Sequence, residues 1–242
     1  MNAVVILPTF NEATTIADAL KQLLALTMPV DILVVDDRSP DGTGDVVRRF
    51  VAESGTARVG LLERPGPRGL GRAYRDGFSQ VLGTGRYDVV VQADADGSHP
   101  FGQIPEMVAA VAAGADLVIG SRYCPGGAFT RDWPVGRRLL SRAANRYTRV
   151  MLRIPVADTT SGYRAWRATV LRQVLTSQPS LADGYVFLVQ MLQGALREAA
   201  EVEEVPISFA QRTAGVSKLT AGIAMEGIWA CVAMRFALSK GS

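Results

Sequence analysis

Five short apolar runs, at residues 3–7, 31–35, 58–62, 87–93 and 116–119, constrain this chain more than any other feature. Helical patterns separate them. Residues 13–26 place Ile16, Ala19, Leu20, Leu23 and Leu24 on one face. A second helix, with Asp41 as its expected N-cap, carries Val46, Val47, Phe50 and Val51. Residues 69–82 turn Ala73, Phe78 and Val81 inward, and 104–112 form a fourth helix. Near-continuous apolar strands joined by helices predict an α/β fold, a mainly parallel sheet covered on both faces. Such sheets bind ligands beyond the carboxyl ends of their strands.

The polar residues cluster at those ends. The runs lead into Pro8-Thr9-Phe10-Asn11-Glu12, Asp36-Asp37-Arg38-Ser39, Asp94-Ala95-Asp96 and Gly120-Ser121-Arg122. Four strand ends are thus expected on one rim. After residue 125 the alternation stops. A helix at 135–153 repeats Leu139, Leu140, Ala143, Tyr147, Val150 and Met151 on one face. Arg138, Arg142, Arg146, Arg149 and Arg153 recur on another, with no acid from 137 to 153. A loop at 158–163, a helix near 185–196, a strand at 202–205 and a helix near 219–238 complete the reading.

Composition excludes several classes. At 48% hydrophobic and 20% charged over 242 residues the chain is globular. No uncharged run reaches the ~18–20 apolar residues that span a bilayer. The N-terminus lacks a basic segment and a small-residue cleavage site, so a strand is expected there rather than a leader. Cys124 and Cys231 form no metal spacing or disulfide framework, which suits reduced thiols in a cytosolic setting. A net charge of +3 does not by itself indicate nucleic acid.

Asp94 and Asp96 would repel in one pocket, and a divalent cation removes the conflict. Mg²⁺ takes one or two protein carboxylates and fills its other positions with water and substrate phosphates; Mn²⁺ suits the same oxygens. The alternative is that Asp94 caps a turn and Asp96 is solvated. Arg68, before the glycines of RPGPRGLGRAY, reads either as part of an anion cradle at a helix start or as a simple cap. Arg122 reads as a bidentate phosphate ligand or as a surface ion pair.

With ILPTFNE (6–12), VVDDRSPDGT (34–43), GLGRAYRDGF (69–78), DADGSHP (94–100), GSRY (120–123), DWPVGRRLLSR (132–142), SGYRAWR (161–167) and VPISFAQRTAGVSKL (205–219) in this order, the chain resembles a family 2 glycosyltransferase of the GT-A fold. Within that family it is most similar to the dolichol (polyprenol) phosphate mannosyltransferases. The resemblance implies one GT-A domain over 1–242, with a nucleotide-sugar-binding half at 1–124 and an acceptor- and membrane-facing half at 125–242. It implies inverting transfer of mannose from GDP-mannose to a polyprenyl phosphate. UDP-glucose is the nearest alternative donor. Pro8, Phe10, Glu12, Val35 and Asp37 would line the nucleotide pocket. Asp94 and Asp96 would hold Mg²⁺ or Mn²⁺ beside Ala95 and Ser98, with Asp96, Arg122 and Arg137 catalytic. Arg122, Arg137, Arg212 and Lys218 would contact the diphosphate or the acceptor phosphate.

Three positions depart from the family's usual residues. Phe10 stands for tyrosine, Ser98 for glutamine, and Arg38 for an acid, glycine or asparagine. A lipid phosphate is already an anion near pH 7 and needs no general base, so His99 is expected to serve loop hydrogen bonding. The arginine face of 138–153 and the C-terminal amphipathic helices suit a peripheral protein on the cytoplasmic face of a membrane, with or without a separate membrane-anchoring protein. The stripe Met225, Ile228, Trp229, Val232 and Phe236 is expected in the core, with docking at the membrane interface as the alternative. A sugar nucleotidyltransferase would carry G-x-G-T-R where this chain has PTFNE. A non-catalytic nucleotide-binding scaffold would have no need to keep Asp94, Asp96, Arg122, Arg212 and Lys218.

Overall fold

The computed structural model describes residues 1–130, 133–178, 181–184, 186–210 and 221–239. β1 (Ala3–Thr9), β2 (Asp31–Asp36), β3 (Val59–Glu63), β4 (Val89–Gln92) and β5 (Leu117–Ser121) occupy the five apolar runs. α1 (Ile16–Leu24), α2 (Thr43–Ser54), α3 (Leu70–Gly83) and α4 (Ile104–Ala113) connect them. β6 (Ala128–Phe129), α5 (Val135–Leu152), β7 (Arg164–Arg167), α6 (Ala168–Ser177), α7 (Val186–Arg197), β8 (Val202–Pro206), β9 (Ser208–Phe209) and α8 (Ala221–Ser239) follow.

The seven-stranded sheet runs β3-β2-β1-β4-β7-β5-β8, and β6 pairs with β9 in a small second sheet. All neighbours in the large sheet are parallel except β7, which lies antiparallel between β4 and β5. The sheet is therefore completed by β7 and β8, both from the second half of the chain. Alternation along each strand divides the core. Val5 and Leu7 join Leu20, Leu23, Val47, Met107 and Val111 on one face. Val4 and Ile6 join Phe78, Trp166, Leu171, Phe187 and Met191 on the other.

One strand is unexpected and one expectation needs correction. β7 was not legible as a strand, because its first residue is a charge. Arg164 is nonetheless fully buried and donates to the carbonyls of Ser161 (2.9 Å), Leu188 (2.6 Å) and Thr159 (3.2 Å). Burial, with the Asp158 charge working against it, lowers its pKa to about 10, so it stays charged at neutral pH. Asp41 is not the N-cap of α2; Gly42 is, at φ 83°. Asp41 instead accepts from the Thr43 amide (3.0 Å) and hydroxyl (2.6 Å) and the Ala13 amide (3.0 Å), tying the β1–α1 turn to the start of α2.

Candidate active site

The chain leaves β1 toward β2 and β3 on one side and returns through β4 on the other. The ends of β1 and β4 thus form a topological switch point, where an open α/β sheet leaves a crevice. Pro8 to Glu12 lie at one lip and Ala93 to Asp96 at the other.

At the β4 lip the strand ends at Gln92, one residue earlier than the sequence suggests, so Asp94 already lies in the turn. Gly97 at φ 79° completes it, a backbone that favours glycine. The Asp96 carboxylate is buried and accepts from the Ser98 amide (3.0 Å) and hydroxyl (2.5 Å). Serine thus orients the second aspartate from the position where the family usually has glutamine. The Asp94 side chain is about one-third exposed (32%). Its amide donates to His99 Nδ1 at 2.9 Å, and the histidine ring stacks on Tyr163 with centroids 4.7 Å apart. His99 Nδ1 is therefore an acceptor committed to the loop, as expected. Burial pushes the Tyr163 phenol up, and its hydroxyl donates to the Pro100 carbonyl at 3.0 Å.

At the β2 lip Asp37 is buried with the Arg64 guanidinium on one oxygen and the Gly69 amide on the other at 3.0 Å. The anion at the start of α3 is thus the protein's own carboxylate. The Gly71 amide likewise donates to the Asp183 carbonyl at 2.8 Å. A Cβ on Gly69 would lie 2.9 Å from that same carbonyl, so these glycines serve close approach to the 182–183 segment. The Arg68 guanidinium lies 4.3 Å from the centroid of the Phe10 ring. Glu12 accepts from the Thr15 hydroxyl at 3.1 Å. Arg38 has a physical account: its φ of 50° is the left-handed backbone that glycine and asparagine adopt most easily. Val35 and Ala95 are buried in the core, so only their backbone can face a ligand, and Pro8 is half-buried.

Arg122 is held from within. Its Nε and Nη2 each lie 2.7 Å from an Asp158 oxygen, and Nη2 also reaches the Thr160 hydroxyl at 2.8 Å. The rings of Tyr123, Phe129 and Phe209 surround it at 5.3–5.6 Å. Burial opposes both charges of this pair. The partners more than offset it, raising Arg122 and lowering Asp158. The 157–160 segment is held in turn by Glu204, which accepts the amides of Ala157 (2.7 Å) and Asp158 (2.9 Å), and by Asn145 of α5, which accepts Thr159. Asp158, Thr160 and Glu204 escaped the sequence reading, although SGYRAWR beside them matched the family. Arg137 is exposed on the first turn of α5, and Arg212 and Lys218 lie outside the described residues.

The model of the family described as "Glycosyl transferase family 2" matches residues 4–175, which include both lips of this crevice. The chain belongs to glycosyl transferase family 2. Among curated relatives, an undecaprenyl-phosphate mannosyltransferase of Micrococcus luteus is 42% identical over 228 residues, covering 94% of this chain and 91% of that protein. A polyprenol monophosphomannose synthase of Mycolicibacterium smegmatis is 41% identical, covering 93% and 83%. Among solved structures, glucosyl-3-phosphoglycerate synthase of Mycobacterium tuberculosis, crystallised with Mn²⁺, UDP-glucose and phosphoglyceric acid, superposes at a TM-score of 0.67 with 20% identity. It covers 97% of this chain and 79% of that one. Mannosyl-3-phosphoglycerate synthase of Rubrobacter xylanophilus gives 0.66 at 17%, covering 97% and 73%. This family 2 glycosyltransferase therefore has the expected GT-A-like fold.

Proposed function

We propose that this glycosyltransferase moves mannose from GDP-mannose to a polyprenyl phosphate, with inversion at the anomeric carbon. The observation that carries the reading is the paired carboxylate turn of Asp94 and Asp96 at the switch point, in a chain more than 40% identical to two enzymes named for mannosyl transfer to, or synthesis of, polyprenyl phosphates. Phe10 offers a face for the base, and Glu12 and Asp37 follow the neighbouring ends of β1 and β2.

One aspartate is held by Ser98 and the other is partly open, an all-oxygen donor set that suits Mg²⁺ or Mn²⁺. Among the described residues no group of three His, Cys, Asp or Glu side chains could hold a metal alone, which suits a cation completed by diphosphate and water. When bound, the ion supplies Lewis-acid charge to the departing diphosphate. The chain's own residues do the rest. The acceptor phosphate needs no proton removed, so the task is positioning and charge. Arg137, at the start of α5 and close in sequence to the β6 strand, is assigned to the acceptor phosphate. Arg122, whose charge is paired with Asp158 beyond β5, is assigned to the phosphates on the resemblance. Arg212 and Lys218 are assigned to the phosphates on the resemblance alone.

Residues 1–124 serve the donor and 125–242 the acceptor and its membrane. No helix among the described residues is long and apolar enough to cross a membrane. The surface contact is assigned to α5. Val135, Leu139, Leu140 and Val150 are exposed there, and Arg146, Arg149 and Arg153 line an open hollow of about 370 Å³ with Val150. Exposed apolar residues beside Arg146, Arg149 and Arg153, which have no ion pair among the described residues, suit the headgroup region of an anionic leaflet. We place the protein on the cytoplasmic face, with a separate anchoring protein as a possible partner.

The test is transfer of labelled sugar to a short polyprenyl phosphate with Mn²⁺, offering GDP-mannose and UDP-glucose separately. A lipid-extractable mannose product with GDP-mannose is expected. Glucose product alone would overturn the donor, and no product with either would overturn the reaction.

A further inference from the structure

Arg68 is a residue of the crevice that the reading above leaves without a task. It lies in the loop between β3 and α3, and both ends of that loop are fixed. Arg64 is bound to Asp37 and to Asp76 at 2.6 Å, and Gly69, next to Arg68, donates to Asp37 at 3.0 Å. Pro65 and Pro67 stiffen the span between. The facing lip is fixed too. The amide of Asn11, which follows Phe10 and has φ 60°, donates to the Ser39 hydroxyl at 3.0 Å. The meeting of the Arg68 guanidinium and the Phe10 ring, at 4.3 Å, therefore joins two anchored segments. A guanidinium centred over a ring is held there by cation–π attraction, which uses none of its N–H donors. Among the described residues Arg68 has no ion pair or hydrogen bond to spend them on, in contrast to Arg64, Arg72 and Arg75 around it.

We propose that Arg68 is a specificity-determining residue that reads the nucleobase of the donor and selects guanine. This rests on the reading that the donor nucleotide binds at Phe10. A guanidinium fork matches two adjacent acceptors on one base edge, and guanine presents O6 and N7 in that relation. Adenine replaces one acceptor with an amino donor. Uracil offers a single carbonyl on the corresponding edge. Phe10 holds the guanidinium by this cation–π contact and needs no hydroxyl for it, which accommodates phenylalanine at a position where tyrosine is usual in the family.

The experiment is calorimetric binding of GDP, ADP and UDP, each with Mn²⁺, to the full chain and to its Arg68→Ala and Arg68→Lys variants. The wild type is expected to bind GDP most tightly. Arg68→Ala should weaken GDP about tenfold or more, the range of a lost bidentate base contact, and leave UDP within about twofold. Arg68→Lys should fall between, keeping the charge without the fork. A wild type that prefers GDP, with the same GDP-to-UDP ratio in Arg68→Ala, would overturn the role of Arg68 and leave the donor reading standing. A wild type that prefers UDP, or binds none of the three, would remove the donor reading and this proposal together.

Discussion

Two sets of arginines in this molecule behave in opposite ways. Arg164 is buried and the Arg122 side chain is only 9% exposed; they lie on either side of the 158–161 segment, and their bonds go to the protein itself. Arg146, Arg149 and Arg153 stand on the outer face of α5, exposed and without an ion pair among the described residues. The residue type is the same and the cost structure is not. A buried guanidinium must be satisfied inside, so it fixes whatever it bonds. An exposed cluster of like charges repels itself, so it is most stable when an anion from outside sits among them. On the function proposed above, the buried set is assigned to positioning the site and the exposed set to the membrane surface.

The largest effect should come from breaking the buried set. Asp158→Ala leaves Arg122 charged and unpaired in the interior, and a loss of about 3–5 kcal/mol is expected, with a fall in Tm on the order of 10 °C. Urea and thermal unfolding check it; a near-wild-type Tm would mean that the pair is dispensable. The exposed set should respond oppositely. The triple change Arg146→Gln, Arg149→Gln, Arg153→Gln is expected to leave unfolding within about 0.5 kcal/mol of wild type. Sedimentation with vesicles containing phosphatidylglycerol should show binding weakened by about 100-fold, at about 1 kcal/mol per charge. Equal vesicle binding by the variant would end the comparison on that side.

A smaller effect sharpens the contrast by pH. The Asp158 carboxyl is held below its ordinary value of 3.8, first against burial and then by Arg122. A group with a depressed folded pKa contributes stability above its unfolded value, and that contribution is lost as the pH falls below 3.8 through the folded value. Unfolding free energy should therefore drop more steeply with acid below pH 3.8 in the wild type than in Asp158→Ala. Parallel pH profiles would contradict the assignment.

The same contrast explains what could be read from the sequence. β1 to β5 announce themselves through apolar runs, and the crevice follows from where those runs end, so Asp37, Asp94 and Asp96 were legible as rim residues. Position did not reveal partnership. Asp37 is engaged by Arg64, 27 residues away, and Arg122 by Asp158, 36 residues away. No local pattern marks either pairing. β7 was missed because its buried arginine reads as a surface charge. On α5 the spacing did separate an arginine face, but Arg138 departs from it, half-buried and donating to the Thr130 carbonyl at 3.0 Å. On α8 the stripe expected in the core is partly outside it. Trp229 and Phe236 are 66% and 65% exposed, while Cys231 packs against Thr148 of α5. Helical spacing defines a face but does not say what covers it.

The central claim is that the Asp94–Asp96 turn at the β1–β4 crevice carries out sugar transfer to a lipid phosphate. The most direct measurement compares wild type with Asp96→Asn for mannose transfer from GDP-mannose to a short polyprenyl phosphate, at matched protein and Mn²⁺, with Tm recorded on the same samples. A folded variant with transfer reduced by about 100-fold or more is expected. Wild-type turnover by a folded Asp96→Asn protein would contradict the claim.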